Sequence, residues 1–98
     1  MVAYVIAERL EQWDPEVFAP YGPLAAASIA RFGGRYLAKA PEVLQLEGEG
    51  SAPLAMAVLE FPGLEQAKAW FASDDYQAAA NIRRGGAKKR YLLIDGVG

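Results

Sequence analysis

Apolar and polar positions alternate from the start of the chain. Over residues 2–11, Val2, Tyr4, Ile6 and Glu8 fall on one side and Ala3, Val5, Ala7 and Arg9 on the other. The β-branched and aromatic content of this segment predicts a strand. Trp13-Asp14-Pro15-Glu16 then reads as a helix start, with Asp14 as cap, Pro15 in the first helical position and Glu16 at the positive end of the helix dipole. Tyr21, Ala25, Ser28, Ile29 and Phe32 recur at the spacing of one apolar helical face. Pro20 and Pro23 interrupt that face, since a proline lacks the amide hydrogen and crowds the preceding turn. The pattern predicts a short first turn, a break over residues 20–23, and a regular helix to Phe32 that Gly33-Gly34 stops. Residues 35–47 read as a second strand bent at Pro41, and Gly48-Glu49-Gly50-Ser51-Ala52 as a hairpin-type loop. Residues 54–61 alternate most clearly, with Leu54, Met56, Val58 and Glu60 opposite Ala55, Ala57, Leu59 and Phe61. Pro62-Gly63 ends that strand. A helix is predicted over residues 64–72, a second one capped by Ser73 over 74–84, and a last strand over 89–95.

The order is βαββαβ, with the second helical region in two pieces. It predicts a ferredoxin-like α+β fold: one antiparallel sheet, helices on one face, and a single domain over residues 1–98. The opposite face is left uncovered, and either alternating set is too apolar for water. A face-to-face homodimer is therefore expected. Alternation alone leaves open which set faces the helices.

Composition sharpens this picture. Of 98 residues 53% are hydrophobic, but 19 are alanine, so large apolar side chains are few and a partner subunit would help stability. The chain has no Cys, His or Thr, which excludes disulfides, thiolate chemistry, His-ligated metal or haem, and Ser–His or Cys–His catalytic pairs. Net charge is −2, so no global field draws the chain to nucleic acid or anionic membrane. No stretch is apolar enough for a membrane span, and the first residues lack a basic signal-peptide start. A cytoplasmic, soluble protein is expected.

Gly33-Gly34-Arg35-Tyr36-Leu37, Glu42-Val43, Leu46-Glu47-Gly48, Leu59-Glu60-Phe61-Pro62, Ala69-Trp70-Phe71, Ser73, Tyr76 and Asp95-Gly96 together resemble one small bacterial family. It is the domain of unknown function family 1330, within the dimeric α+β barrel superfamily. Lys39-Ala40-Pro41 and the two prolines at 20 and 23 depart from its pattern. The resemblance implies a ferredoxin-like subunit whose sheets pair across a two-fold axis, and it implies no particular reaction. The wider superfamily includes cofactor-free monooxygenases, muconolactone-type isomerases and haem peroxidases. The haem branch depends on a His that this chain lacks, and no cofactor is expected.

Among groups that could carry chemistry, Glu60 shares a strand face with Leu54, Met56 and Val58. Partial desolvation there would raise its pKa toward that of a general base. The competing reading pairs it with Arg35 or Arg83. Tyr4, Tyr21, Tyr36, Trp70 and Tyr76 are candidates to line a cleft between sheet and helices, or are simply core. Arg83, Arg84, Lys88, Lys89 and Arg90 form a basic run. The strand at 54–61 lacks the basic-Gly-aromatic motif of RNA-recognition domains. The run therefore reads as helix-dipole complement and strand-edge protection, with Arg83, and Arg35 elsewhere, kept as partners for an anionic group. Gly48-Glu49-Gly50 and Gly85-Gly86 are neither dinucleotide nor phosphate loops. No metal site is expected from the carboxylate pairs Glu47/Glu49 and Asp74/Asp75. Two functions follow: a homodimer with a cofactor-free site for a small organic molecule, anionic or aromatic, using monooxygenase- or isomerase-like acid–base chemistry; or a non-catalytic ligand-binding or assembly module.

Overall fold

Strand β1 (Ala3–Gln12) opens the fold in a computed structural model that describes residues 2–97. It is followed by α1 (Pro15–Phe18), α2 (Tyr21–Arg31), β2 (Arg35–Ala40), β3 (Ala55–Phe61), α3 (Leu64–Ala72), α4 (Asp74–Arg84) and β4 (Ala87–Asp95). The strands form one sheet in the order β2-β3-β1-β4, every neighbouring pair antiparallel. This is the ferredoxin-like α+β arrangement. No helix among the described residues is long and apolar enough to cross a membrane.

Local chemistry explains the boundaries. The Asp14 carboxylate accepts from the Val17 amide at 3.2 Å and caps α1, with Pro15 in the first position. The break after α1 is narrower than the prolines predict: the helix resumes at Tyr21, and Pro23 lies inside its first turn. A first-turn amide has no acceptor within the helix, so proline costs nothing there. Gly33 leaves α2 in the left-handed region, at φ 78°, and the Gly34 amide donates back to the Ile29 carbonyl. Ser73 joins α3 to α4: its hydroxyl donates to the Trp70 carbonyl and accepts from the Tyr76 amide.

The second strand is shorter than predicted. It stops at Ala40, because Pro41 has no N–H to continue the ladder with β3. Residues 41–54 form an irregular connection instead of a bent strand and tight hairpin, with Leu44 and Leu46 exposed upon it.

The structure decides which set of alternating residues faces inward. Ala3, Val5 and Ala7 of β1 and Ala55, Leu59 and Phe61 of β3 are buried beneath the helices. Trp70, Tyr76 and Phe61 are the largest fully buried side chains, and the Trp70 indole N–H donates to Ser28 Oγ at 3.0 Å. The other face is uncovered. Its cross-strand rows read Arg35–Glu60–Tyr4–Ile94, Ala38–Val58–Ile6–Leu92 and Ala40–Met56–Glu8–Arg90. An apolar centre thus lies between two ion pairs, Arg35–Glu60 at 2.9 Å and Arg90–Glu8 at 2.6 Å.

Candidate functional site

On the helix side of the sheet, small residues leave a gap. Ala7 lies opposite Ala57 in the β1–β3 register, with Ala55 on the same face and Ala19 and Gly22 flanking the start of α2. None of these side chains reaches across to the opposing layer. The result is a cavity of about 470 Å³, within the range of small-molecule sites. Its walls carry the rings of Phe18, Tyr21, Tyr36, Trp70 and Tyr91 and the side chains of Arg9, Lys39 and Lys89. A smaller, mainly apolar hollow of about 260 Å³ lies between α3 and β4, and Trp70 and Tyr91 line both.

A chain of phenols runs along the cavity wall. The Tyr21 hydroxyl bonds both the Tyr76 hydroxyl, at 2.9 Å, and the Tyr91 hydroxyl. Burial, reinforced by the neighbouring phenols, pushes the pKa of Tyr21 and Tyr91 well above the usual range, so both stay neutral. Burial also raises Tyr36. Lys89 Nζ lies 5.0 Å from the Tyr21 ring centre and 5.1 Å from that of Tyr91. Burial, then the charges of Arg83, Arg9 and Lys39, lower its ammonium to about 8. The Arg83 guanidinium lies 5.1 Å from the Tyr91 ring centre, and that of Arg9 4.7 Å from Phe18. The Nε atoms of Arg9 and Arg83 are buried without a hydrogen-bond partner.

The residues singled out in the sequence separate into two groups. Tyr21, Tyr36 and Trp70 line the cavity, Tyr76 supports Tyr21 from behind, and Arg83 stands behind Tyr21 and Tyr91. Tyr4, Glu60 and Arg35 lie in one row on the opposite sheet face. Glu60 follows Leu59, which faces the helices, so the pleat turns its carboxylate away from the cavity and onto Arg35. It cannot serve the cavity as a base.

Among the rings and cations of the wall, Arg9, Phe18, Lys39, Lys89 and Tyr91 are those that sequence reasoning missed. A signal was present for two of them: Lys89 and Tyr91 are two apart in a strand and share a face, whereas Lys88 and Arg90 point the other way. Those two pair with Glu11 and Glu8 of the neighbouring strand β1. Among the described residues no cluster of three or more Asp, Glu, His or Cys could hold a metal ion.

Fold and cavity together define a ferredoxin-like α+β protein with a partly open cleft between its sheet and helices. The chain belongs to the family called domain of unknown function 1330, which matches residues 2–97. No curated protein matches it in sequence. Similar solved structures include a protein of unknown function from Rhodopseudomonas palustris, with 17% identity, a TM-score of 0.76, and coverage of 99% of this chain and 83% of that one. SnoaB, a cofactor-independent oxygenase from Streptomyces nogalater, has 14% identity, a TM-score of 0.63, and coverage of 99% and 93%. A dimeric protein of unknown function with a ferredoxin-like fold from Bacteroides fragilis has 16% identity, a TM-score of 0.54, and coverage of 97% and 95%. At these identities the likeness is one of fold.

Proposed function

We propose that this protein is a homodimer, joined through the uncovered sheet faces, that binds a small planar organic molecule in the sheet–helix cavity of each subunit. The observation that carries this reading is a 470 Å³ space walled by five aromatic rings, since rings of this kind stack on planar ligands and supply polar tips to orient them. The apolar rows centred on Ile6, Val58 and Leu92, with their flanking ion pairs, support the dimer. So does the dimeric state of the Bacteroides fragilis relative in fold. Native mass spectrometry of gently purified protein tests both parts at once. A dimer carrying a small molecule is expected. A stable monomer would remove the assembly. An empty protein that also takes up no member of a planar-ligand library would remove the cavity reading.

A second reading, cofactor-free proton transfer, is favoured by Lys89. With a pKa of about 8, roughly a tenth of this amine is neutral at pH 7. That fraction is able to take a proton from a bound acid, a role that Glu60 cannot fill from the far face. SnoaB, similar in fold, is a cofactor-independent oxygenase. Once a turned-over compound is found, its rate should rise with pH through about 8 and fall at least a hundredfold in Lys89→Met. A rate unchanged in that variant would leave binding as the whole function.

A further inference from the structure

The ten basic residues sort into two populations. Arg31, Arg35, Lys68, Lys88 and Arg90 each pair with a carboxylate, and Arg84 bonds the side chains of Gln77 and Asn81. The remaining four, Arg9, Lys39, Arg83 and Lys89, come from β1, β2, α4 and β4, so four separate elements bring them together around the cavity. None has a carboxylate partner among the described residues, and no Asp or Glu lines the cavity. Their contacts are mainly with rings: Arg9 on Phe18, Lys39 on Tyr36, Arg83 and Lys89 on both Tyr21 and Tyr91. Arg9 also donates from Nη1 to the neutral Gln12 side chain at 2.8 Å, which balances no charge. Ring faces attract cations modestly, but they carry no net charge to balance four positive groups. Gathering like charges in a half-desolvated space is unfavourable. Two buried guanidinium N–H groups, on Arg9 and Arg83, also lack an acceptor.

Resting on the cavity reading above, we infer that the ligand is an anion, specifically an aromatic carboxylate whose ring stacks among Tyr21, Tyr36 and Tyr91 and whose charge meets Lys89, Arg9 and Lys39. A carboxylate suits both the planar guanidinium donors and the ammonium groups. Arg83, behind the rings, adds charge without the need to touch the ligand. Inorganic phosphate would satisfy the cations but leave the aromatic walls unused. The groups facing Lys89 are the cations Arg9, Lys39 and Arg83 and the phenols of Tyr21 and Tyr91. The phenols are held neutral, so below pH 10 the amine of Lys89 is the group that titrates.

Calorimetric titration of the intact protein with naphthalene-2-carboxylate and with its neutral amide, naphthalene-2-carboxamide, tests the inference. At pH 7 the carboxylate is expected to bind at least tenfold more tightly than the amide. That advantage should shrink about tenfold at pH 9.5, where Lys89 loses its proton, and to a similar extent in Lys89→Met. The exposed Lys39→Met variant should show a smaller loss, which gives a second check should Lys89→Met fold poorly. Equal binding of amide and carboxylate would overturn the anion assignment and leave the cavity reading intact. Binding of neither compound would overturn both. Displacement of the carboxylate by equimolar inorganic phosphate would overturn the aromatic part of the assignment.

Discussion

At the scale of single residues, Lys89 carries the most readable consequence. Its folded pKa of about 8 lies below the usual 10.5, so between these values the unfolded chain binds the extra proton. Stability in the absence of ligand should therefore rise with pH from about 8 toward 10. Above 10 the sign reverses, because Tyr21 and Tyr91 keep their protons when folded while the unfolded phenols lose theirs. Urea midpoints measured from pH 7 to 11 should trace this rise and fall, and Lys89→Met should lose the rise but keep the fall. Tyr76→Phe removes one hydroxyl from the phenol chain while keeping the ring against Trp70 at 4.3 Å. A loss of about 1 kcal/mol in urea unfolding is expected, without loss of the cavity.

At the scale of elements, the joints do more than the helix and strand bodies. A Cβ at Gly34 would come within 2.5 Å of the Phe61 ring and 2.9 Å of Ile29. Neither can retreat, since Phe61 is packed on Trp70 beneath the helices. Gly34→Ala should cost about 1–3 kcal/mol through overpacking, and chemical denaturation would show it as a lower midpoint with unchanged slope. Ser73 was legible as a cap from its place before Asp74-Asp75, and the structure adds its bond to the Trp70 carbonyl. The early end of β2 was harder to read. Alternation continues past Pro41 in the sequence, but a strand needs a ladder partner, and Pro41 cannot donate to β3.

For the whole molecule, a two-layer build leaves one sheet face without cover, and assembly is the physical remedy for its apolar rows. Ile6 stands at the centre of that face, between Val58 and Leu92. Ile6→Glu would place a charge in the middle of the proposed sheet-to-sheet interface while disturbing no helix-facing residue. Light scattering after gel filtration is expected to give a dimer for the wild type and a folded monomer for the variant. Equal masses for the two would send the dimer interface elsewhere.

Periodicity, caps and turn residues act over a few positions, so the sequence by itself determined the order of elements, the α+β class, the stops at Gly33-Gly34 and Ser73, and the existence of an uncovered apolar face. Family membership was legible for a related reason, since its motifs are short local runs such as Phe61-Pro62 and Ala69-Trp70-Phe71. Which face of each strand meets the helices was left to the tertiary structure, because a period of two is symmetric under exchange of the two sides. That one binary choice sent Glu60, Tyr4 and Arg35 to the outer face and brought Lys89 and Tyr91 inward. The cavity was likewise beyond a linear reading: it arises where alanines of β1 and β3 meet the small residues around the start of α2. The four cations around it are up to eighty residues apart in the chain, and the register of the sheet, with α4 packed on it, brings them together.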